Sequence, residues 1–266
     1  HSSTESLRRT GPSGTLLCWV ACGLPVALGF VYPLVPLIQW QADHHQDFVL
    51  SDYRSEIIRT ILLTLSVAFI CILISLFFLA FARFTRRRFD QTLAQAISSA
   101  GYAAPSTVMA VGVLGVASLS RTFPSENESL QSLLVSGSLI WLLFALTSRY
   151  LAVSGQVISA GFQTIPNSLE QSARILGRKP WMVFLTIHLP LLRAPLIGAT
   201  ILVSVDISKE LPLTLLLRPF DFETLGTSAY SLVNQGHLFA SATPALILIG
   251  LCAIGLTVVE FLNRKK

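Results

Sequence analysis

The sequence predicts an all-α integral membrane protein built from six transmembrane helices. Of its 266 residues, 52% are hydrophobic and only 12% are charged, and the mean hydropathy is +0.65. A soluble domain carries about 25% charged residues. Because a chain this apolar has too little polar surface to face water, most of it must lie in lipid.

Six apolar stretches are long enough to span the membrane, since crossing about 30 Å of hydrocarbon takes about 20 helical residues. The first contains three prolines, the fourth is predicted to end at Arg149, and the fifth carries three charged residues near its outer end in addition to Arg193 at its inner end. The loop at 218–236 has room for a short interfacial helix. In chain order, the predicted spans are 16–40, 60–82, 94–119, 129–148, 191–211 and 243–262.

Basic residues set the predicted orientation, because lysine and arginine concentrate in short cytoplasmic loops. Most of the 19 lysines and arginines fall on the side of the N-terminus. Both termini are therefore predicted to be cytoplasmic. The cluster of Arg83, Arg86, Arg87 and Arg88 is interpreted as a topology anchor, so lipid and not nucleic acid is the expected partner.

The chain divides into four predicted segments. Residues 1–14 form a polar N-terminal segment, and residues 15–56 contain the first span with its outer loop. Residues 57–262 form the main transmembrane domain, which includes a cytoplasmic loop at 164–190, and residues 263–266 are a basic tail. Because the chain begins with His1, we interpret the first segment as an interdomain linker from a longer membrane protein. An expression tag is the alternative.

Cysteine and histidine do not form a convincing metal site. The cysteines lie inside apolar stretches without nearby ligand partners, and they are expected to be packing residues. They are Cys18, Cys22, Cys71 and Cys252. The first outer loop contains a polar group that is most simply solvated, so no firm metal site is predicted there. This group is Asp43, His44, His45 and Asp47.

The cytoplasmic loop contains a polar helix, a stop signal and a second helix. Asn167 is placed to cap the first turn, with Glu170 reaching back to the cap. Gly177 suits the left-handed position past a helix end, Pro180 suits the first turn of the next helix, and Pro190 is expected to break that helix. The first helix has a narrow face of mostly small side chains that allows another surface to approach. That face comprises Leu169, Ser172, Ala173 and Leu176. The pattern indicates a protein–protein joint, and a plain helical connector is the alternative.

These residues resemble the coupling helix, or EAA loop, of permease subunits of ATP-binding-cassette importers. The matching positions are Ala173, Gly177, Ile187, Leu189 and Pro190. The chain departs from the motif at its glutamate, which is Gln171, and at its first alanine, which is Ser172. Glu170 lies one position early. The resemblance implies a type I importer permease bundle whose cytoplasmic coupling helix docks on ATPase subunits. The residues implied in docking are Glu170, Gln171, Ser172, Ala173, Gly177 and Pro190.

A second stretch, SKELPLTLLLRPFDFETLGTSAY at 208–230, is similar to a segment of ferric-iron permeases. Those permeases commonly fuse two such halves in one chain. The resemblance implies the C-terminal half of a ferric-iron permease in the bacterial cytoplasmic membrane. It also implies a periplasmic binding protein and a second permease half, which is either the N-terminal part of the same chain or a homodimer mate. ATP is then used by the partner ATPase, and this chain is no enzyme and binds no cofactor. Permeases for thiamine, sulfate and polyamines share the architecture.

Beyond Arg193 at its inner end, the fifth predicted span contains three charged residues, namely Asp206, Lys209 and Glu210. Ionised groups in lipid cost several kcal/mol unless they are paired or face a cavity, so they are expected inside the bundle. Lys209 could bridge the two carboxylates, or the group could form a gate on the translocation path, with Pro212 providing a helix break. Carboxylates are hard oxygen ligands that suit Fe³⁺.

Two other classes of function compete with an importer. A secondary transporter could use the same three charges as an ion relay, but it leaves the regular cytoplasmic loop without a role. An intramembrane enzyme would need a nucleophile–base pair or a metal constellation, and the sequence presents neither pattern.

Overall fold

The computed structural model describes residues 12–43, 52–85, 101–119 and 139–264, and all regular secondary structure in those ranges is helical. Several predicted features lie outside the described residues. They are most of the N-terminal segment (1–11), the loop residues His44, His45 and Asp47, the arginines at 86–88, the first parts of the third and fourth predicted spans (94–100 and 129–138), and the last two residues of the tail (265–266).

Ten helices, numbered in chain order, describe these ranges. Helix α1 runs as Pro12–Val26, a π-helical turn at Ala27–Val31, and Tyr32–Asp43. Helices α2, α3 and α4 are Arg54–Thr85, Ser106–Leu119 and Leu139–Gln163. Helix α5 is Asn167–Ile175, and α6 is Pro180–Leu191 with a π-helical turn at Phe184–His188. Helices α7, α8, α9 and α10 are Arg193–Ser208, Pro212–Leu217, Leu225–Asn234 and Ala242–Arg264.

Helices α2, α4 and α7 pack against one another to form the centre of the bundle. Their fully buried residues include Val67, Leu146 and Val203, and α3 and α8 cover this core from one side. A buried hydrogen bond of 2.7 Å joins Ser75 of α2 to Ser154 of α4. Small residues allow the close approach, because a Cβ on Gly161 would lie 2.6 Å from Cγ of Pro195 in α7.

The prediction of six spans is not confirmed within the described part of the chain. Four helices there are long and apolar enough to cross a membrane, at Gly14–Asp43, Arg54–Arg83, Leu139–Gln163 and Ala242–Phe261. A fifth crossing is possible if α6 and α7 count together, although they are bent by 68°. Helix α3 is apolar but has only 14 residues. The first, second and sixth predicted spans therefore have clear counterparts.

The third and fourth predicted spans differ from the structure at their boundaries. The third is interrupted at Ala104 and Pro105, because proline has no N–H and keeps the preceding residue out of the helical conformation. The fourth does not end at Arg149, since α4 continues without a break to Gln163. The apolar pattern resumes after the arginine, and contacts within the bundle compensate its charge.

The fifth predicted span also differs from expectation. Pro190 does not end the second helix of the cytoplasmic loop, because it lies within α6 and the bend comes at Leu192. Helix α7 has 16 residues, a rise of about 24 Å, and it ends before Lys209. Pro212 then occupies the first turn of α8, so the predicted helix break is confirmed.

Helix α2 connects two regions at opposite ends of the bundle. Its 32 residues rise about 48 Å. At one end, Arg59 donates to the carbonyl of Asp221 and the hydroxyl of Thr60 accepts from the N–H of Leu225 at 2.9 Å. At the other end, Arg83 contacts α5. The loop at 218–224 and the loop helix α5 therefore lie on opposite sides of the bundle, as the sequence predicts. The loop at 218–236 contains a short helix, α9, as predicted.

The cysteines differ in their surroundings. Cys71 is fully buried in the core, which confirms it as a packing residue, and Cys252 is half-buried. Cys18 and Cys22 are exposed on α1, so they do not pack in the described core of this chain. Helix α1 reaches the rest of the chain near its end, where Trp40 meets the ring of Phe239 edge-on.

Candidate functional site

The loop helix α5 has the boundaries that the sequence predicts. It begins at Asn167 and ends at Ile175, and Gly177 follows with a φ of +73°. The N–H of Arg178 bonds to the carbonyl of Ala173 at 3.1 Å, which is the six-to-one bond of a Schellman cap. Pro180 then starts α6. These local signals make α5 a short rigid rod with a defined turn after it.

The exposed face of α5 is more apolar than predicted. Ile175 and Leu176 are 85% and 80% exposed, and Gln171 and Ser172 are exposed beside them. Ala173 is only 7% exposed and faces the bundle, so it cannot be part of an outward docking surface. Large apolar side chains left in this position suit contact with another protein. We call Gln171, Ser172, Ile175 and Leu176 the α5 outer face.

Glu170 does not belong to the α5 outer face either, although the resemblance implied a docking role. Its side chain is 4% exposed and its Oε1 accepts from Nε of Arg83. The same oxygen lies 3.3 Å from Nε2 of His188. In the described contacts, the carboxylate thus joins α5 to α2 and α6. We call Arg83, Glu170 and His188 the inner junction.

His188 is the fully buried member of the inner junction. Its ring lies 5.6 Å from that of Phe162 and 6.3 Å from that of Phe184, measured between centroids. The buried ring is a packing residue of the inner junction.

The three charges of the fifth predicted span separate into two groups. Nζ of Lys209 lies 2.8 Å from Oδ1 of Asp206. Glu210 turns the other way, and its Oε2 lies 3.7 Å from Nε of Arg149 and accepts from the Tyr150 hydroxyl at 2.7 Å. Lys209 therefore does not bridge two carboxylates, because α7 has already ended and the backbone directs Glu210 away.

Glu210 and Arg149 form a buried pair between α4 and the segment after α7. Their side chains are 9% and 16% exposed. Nη1 of Arg149 donates to the carbonyl of Ala104 at 2.6 Å, and its guanidinium lies 5.4 Å from the ring centroid of Tyr102. The arginine thus satisfies the carbonyl at the break that Pro105 causes. Glu210 supports the architecture, and the described contacts do not place it on an open path.

Asp206 and Lys209 lie on an accessible surface. Their side chains are 27% and 65% exposed. A groove of about 180 Å³ runs along α2, α7 and α10 on this side of the chain, and Cys252 lines it within electrostatic range of both charges. The accessible lining of the groove is mostly apolar, because the hydroxyls of Thr60, Thr64, Thr200 and Ser208 donate to main-chain carbonyls of their own helices. An exposed ammonium is costly in hydrocarbon, so Lys209 needs water or protein beside it.

The sequence does not indicate the roles of Arg83 and Arg149 in the two buried ion pairs. It predicts only a topology anchor at Arg83 and the end of a span at Arg149. The apolar pattern of 150–162, which continues beyond Arg149, was a usable signal. No sequence signal pairs Arg83 with Glu170, because 87 residues separate them. Within the ranges that the structure describes, no three His, Cys, Asp or Glu side chains are grouped to hold a metal ion.

The chain matches a known protein family and is similar to several known proteins. Residues 87–266 match the model of the family described as "Binding-protein-dependent transport system inner membrane component". The chain is similar to the Fe(3+)-transport system permease protein FbpB 2 of Haemophilus influenzae, with 30% identity over 109 residues. That alignment covers 41% of this chain and 21% of the relative, so the chain spans only a small part of that protein.

Two further relatives name other solutes. The putative 2-aminoethylphosphonate transport system permease protein PhnV of Salmonella typhimurium is 22% identical, and the alignment covers 96% of this chain and 97% of PhnV. The maltose/maltodextrin transport system permease protein MalG of the same species is 32% identical over 111 residues, covering 41% of this chain and 36% of MalG.

Two solved structures share the fold. One is a bacterial ABC transporter involved in the import of the acidic polysaccharide alginate, with a TM-score of 0.59 over 94% of both chains. The other is a bacterial alginate ABC transporter in complex with an alginate pentasaccharide-bound periplasmic protein. Its TM-score is 0.65 over 94% of this chain and 93% of that one. Both are 18% identical to this chain, and at that level the likeness shows the fold alone.

The buried and the exposed ion pairs are expected to respond differently to substitution. Arg149→Met leaves the Glu210 carboxylate buried without its partner, which should destabilise the protein by about 3–5 kcal/mol. Arg149→Met with Glu210→Met should recover most of that loss, since both charges are gone. Lys209→Met is the matched control in an exposed pair and should cost about 0–1 kcal/mol. Thermal unfolding in detergent, followed by tryptophan fluorescence, measures all three. Equal effects of Arg149→Met and Lys209→Met would contradict the assignment.

Proposed function

Because this chain belongs to the family of binding-protein-dependent transport system inner membrane components, the permeases of ATP-binding-cassette importers, we propose that it imports ferric iron across the bacterial cytoplasmic membrane. A periplasmic binding protein delivers the iron, and a separate ATPase subunit hydrolyses ATP. Both chain termini are cytoplasmic. A second permease half completes the pathway, either as another part of a longer chain or as a homodimer mate.

The observation that carries the proposal is the α5 outer face. It is a short, capped helix with exposed Ile175 and Leu176, and it lies at the opposite end of α2 from the loop at 218–224. Apolar side chains at a water-facing position need a partner. The ATPase subunit of an importer is the partner that this position suits.

The chain contributes motion and a path, with no covalent chemistry. ATP closes the ATPase pair, which displaces α5 together with the helices that contact it. The α2–α4–α7 core then tilts as a unit, because packed interiors transmit displacement with little deformation. The opening of the central cavity alternates between the two sides of the membrane as a result.

Two features support ferric iron as the solute. One is the resemblance of 208–230 to ferric-iron permeases, and the other is the similarity to FbpB 2. The similarity to PhnV favours a second candidate, a 2-aminoethylphosphonate importer, because that alignment covers nearly all of both chains. Selection among solutes rests largely with the binding protein, so the permease sequence separates these candidates only weakly.

The translocation path runs along the accessible face that holds Asp206 and Lys209. The exposure of these two charges and the groove beside them support this placement. Glu210, first considered for the gate, keeps a supporting role through Arg149, and Pro212 starts the helix that follows the break. A relay through three adjacent charges, which a secondary transporter would use, is disfavoured because Glu210 points away from the other two.

Disulfide or bifunctional crosslinking tests the contact with the ATPase. In a variant whose four native cysteines are replaced, a cysteine at Ser172 should capture the ATPase subunit in the assembled complex, because Ser172 lies on the α5 outer face. A cysteine at the neighbouring Ala173, which is 7% exposed, is the buried control. A cysteine at Phe220, 98% exposed on the opposite side, is the accessible control. Capture from Phe220 but not from Ser172 would refute the coupling role.

Uptake assays test the solute. Cells that express the chain with its ATPase and binding protein should accumulate radiolabelled ferric iron, and a hydrolysis-dead ATPase should abolish accumulation because ATP supplies the driving force. Excess 2-aminoethylphosphonate should not compete. Accumulation of labelled 2-aminoethylphosphonate instead of iron would select the second candidate. Uptake that persists with the inactive ATPase and a proton gradient would indicate a secondary transporter.

The path assignment is tested by removing its exposed charge. Lys209→Ala should lower uptake several-fold with little change in thermal stability, since an exposed pair contributes about 0–1 kcal/mol. Arg193→Ala, at the opposite end of α7 and also exposed, is the control and should leave uptake unchanged. Wild-type uptake in Lys209→Ala would remove this face from the path.

A further inference from the structure

Arg83 lies where three parts of the chain meet. Its Nη1 donates to the carbonyl of Phe162 at 2.6 Å, and its Nη2 donates to the carbonyl of Ile165 at 2.9 Å. Its Nε donates to Glu170. One guanidinium at the end of α2 therefore binds the end of α4, the connection after it, and α5. The planar guanidinium presents these donors in a fixed fork, so the three acceptors keep a fixed relative geometry.

Few other described side chains attach α5 to the bundle. Among its described side chains, only Glu170 and Ala173 are buried, and Ala173 has no polar group to bond. On the C-terminal side, Gly177 in the left-handed conformation separates α5 from α6. The Glu170 carboxylate is thus the strongest described side-chain attachment of α5 to the bundle.

The attachment is also protected from water. Glu170 and Arg83 are 4% and 16% exposed at their side chains, and the guanidinium lies 5.7 Å from the ring centroid of Phe162. The same ring lies beside His188, so aromatic and imidazole rings cover the pair. A shielded pair is screened less by salt than an exposed one. The pair should therefore persist at salt concentrations that would break an exposed ion pair.

We infer that Arg83 is a positioning residue that transmits the displacement of α5 to helix α2 through Glu170. This rests on the proposed function, in which an ATPase moves α5. Glu170 accordingly serves inside the chain, while the docking contacts belong to the α5 outer face. Helix α2 then conveys the displacement along its length to the loop at 218–224, where Arg59 holds the Asp221 carbonyl.

Distance measurements between spin labels test this inference in the assembled complex of permease and ATPase. Labels are placed on exposed residues of the two helices, at Ser168 on α5 and Ile58 near the outer end of α2. In the parent protein, ATP with vanadate should leave the distance between these labels nearly unchanged, because α5 and α2 move together. In Arg83→Ala, the same addition should shift the distance by a few ångströms or broaden its distribution, while the ATPase stays bound.

Two further variants separate transmission from folding. Glu170→Gln keeps the size of the side chain but removes its charge. It is the substitute variant in case Arg83→Ala fails to assemble, and it should show the same nucleotide-dependent shift in the label distance. Arg83→Lys retains the positive charge but lacks the planar guanidinium with its several N–H donors, so an intermediate shift in the label distance is expected. Arg54→Ala is the control, since it removes an exposed arginine at the other end of α2 and should behave like the parent.

The outcomes distinguish this inference from the proposed function. If Arg83→Ala and Glu170→Gln bind the ATPase and give parent-like distances with and without nucleotide, transmission through Arg83 is refuted and the importer role stands. A nucleotide-dependent change in the label distance in the parent protein would also refute transmission through Arg83, because α5 would then move independently of α2. If Ser172 crosslinks never capture an ATPase, the importer role fails and this inference fails with it.

Discussion

The architecture depends on three arginines that bind main-chain carbonyls at helix ends, breaks or turns. Lipid offers no hydrogen bonds, so such carbonyls need partners within the protein. Arg83 binds the carbonyls at the end of α4, Arg149 binds the carbonyl before Pro105, and Arg59 binds the carbonyl of Asp221, whose φ is +63°. Each guanidinium also lies over an aromatic ring, of Phe162, Tyr102 and Phe222 respectively.

These arginines connect irregular segments to the regular bundle. Two of them lie near opposite ends of α2, a helix of 32 residues. Because side chains in the α2–α4–α7 core are closely packed, the two ends of α2 cannot shift independently. A force applied at α5 therefore has a continuous physical route to the opposite side of the bundle. Such a route is what an importer driven by an external ATPase needs.

The segment after α7 shows how a helix end can divide neighbouring charges. Lys209 and Glu210 are adjacent in sequence, yet Lys209 is exposed and Glu210 is buried against Arg149 and Tyr150. Had the helix continued, both residues and Asp206 would have shared one face. The end of α7 and the proline at the start of α8 therefore separate the exposed Asp206–Lys209 pair from the buried Arg149–Glu210 pair.

The sequence by itself determined the membrane class, the apolar spans that have clear counterparts, and the helix boundaries in the loop at 164–190. Composition and local backbone preference control these features, as the positive φ of Gly177 and the position of Pro180 illustrate. Only the tertiary structure decided that α4 continues through Arg149, that Glu170 faces inward, and that Glu210 parts from Lys209. Each of these depends on a partner far away in the chain, and the energy of a buried charge is set by that partner's position in space.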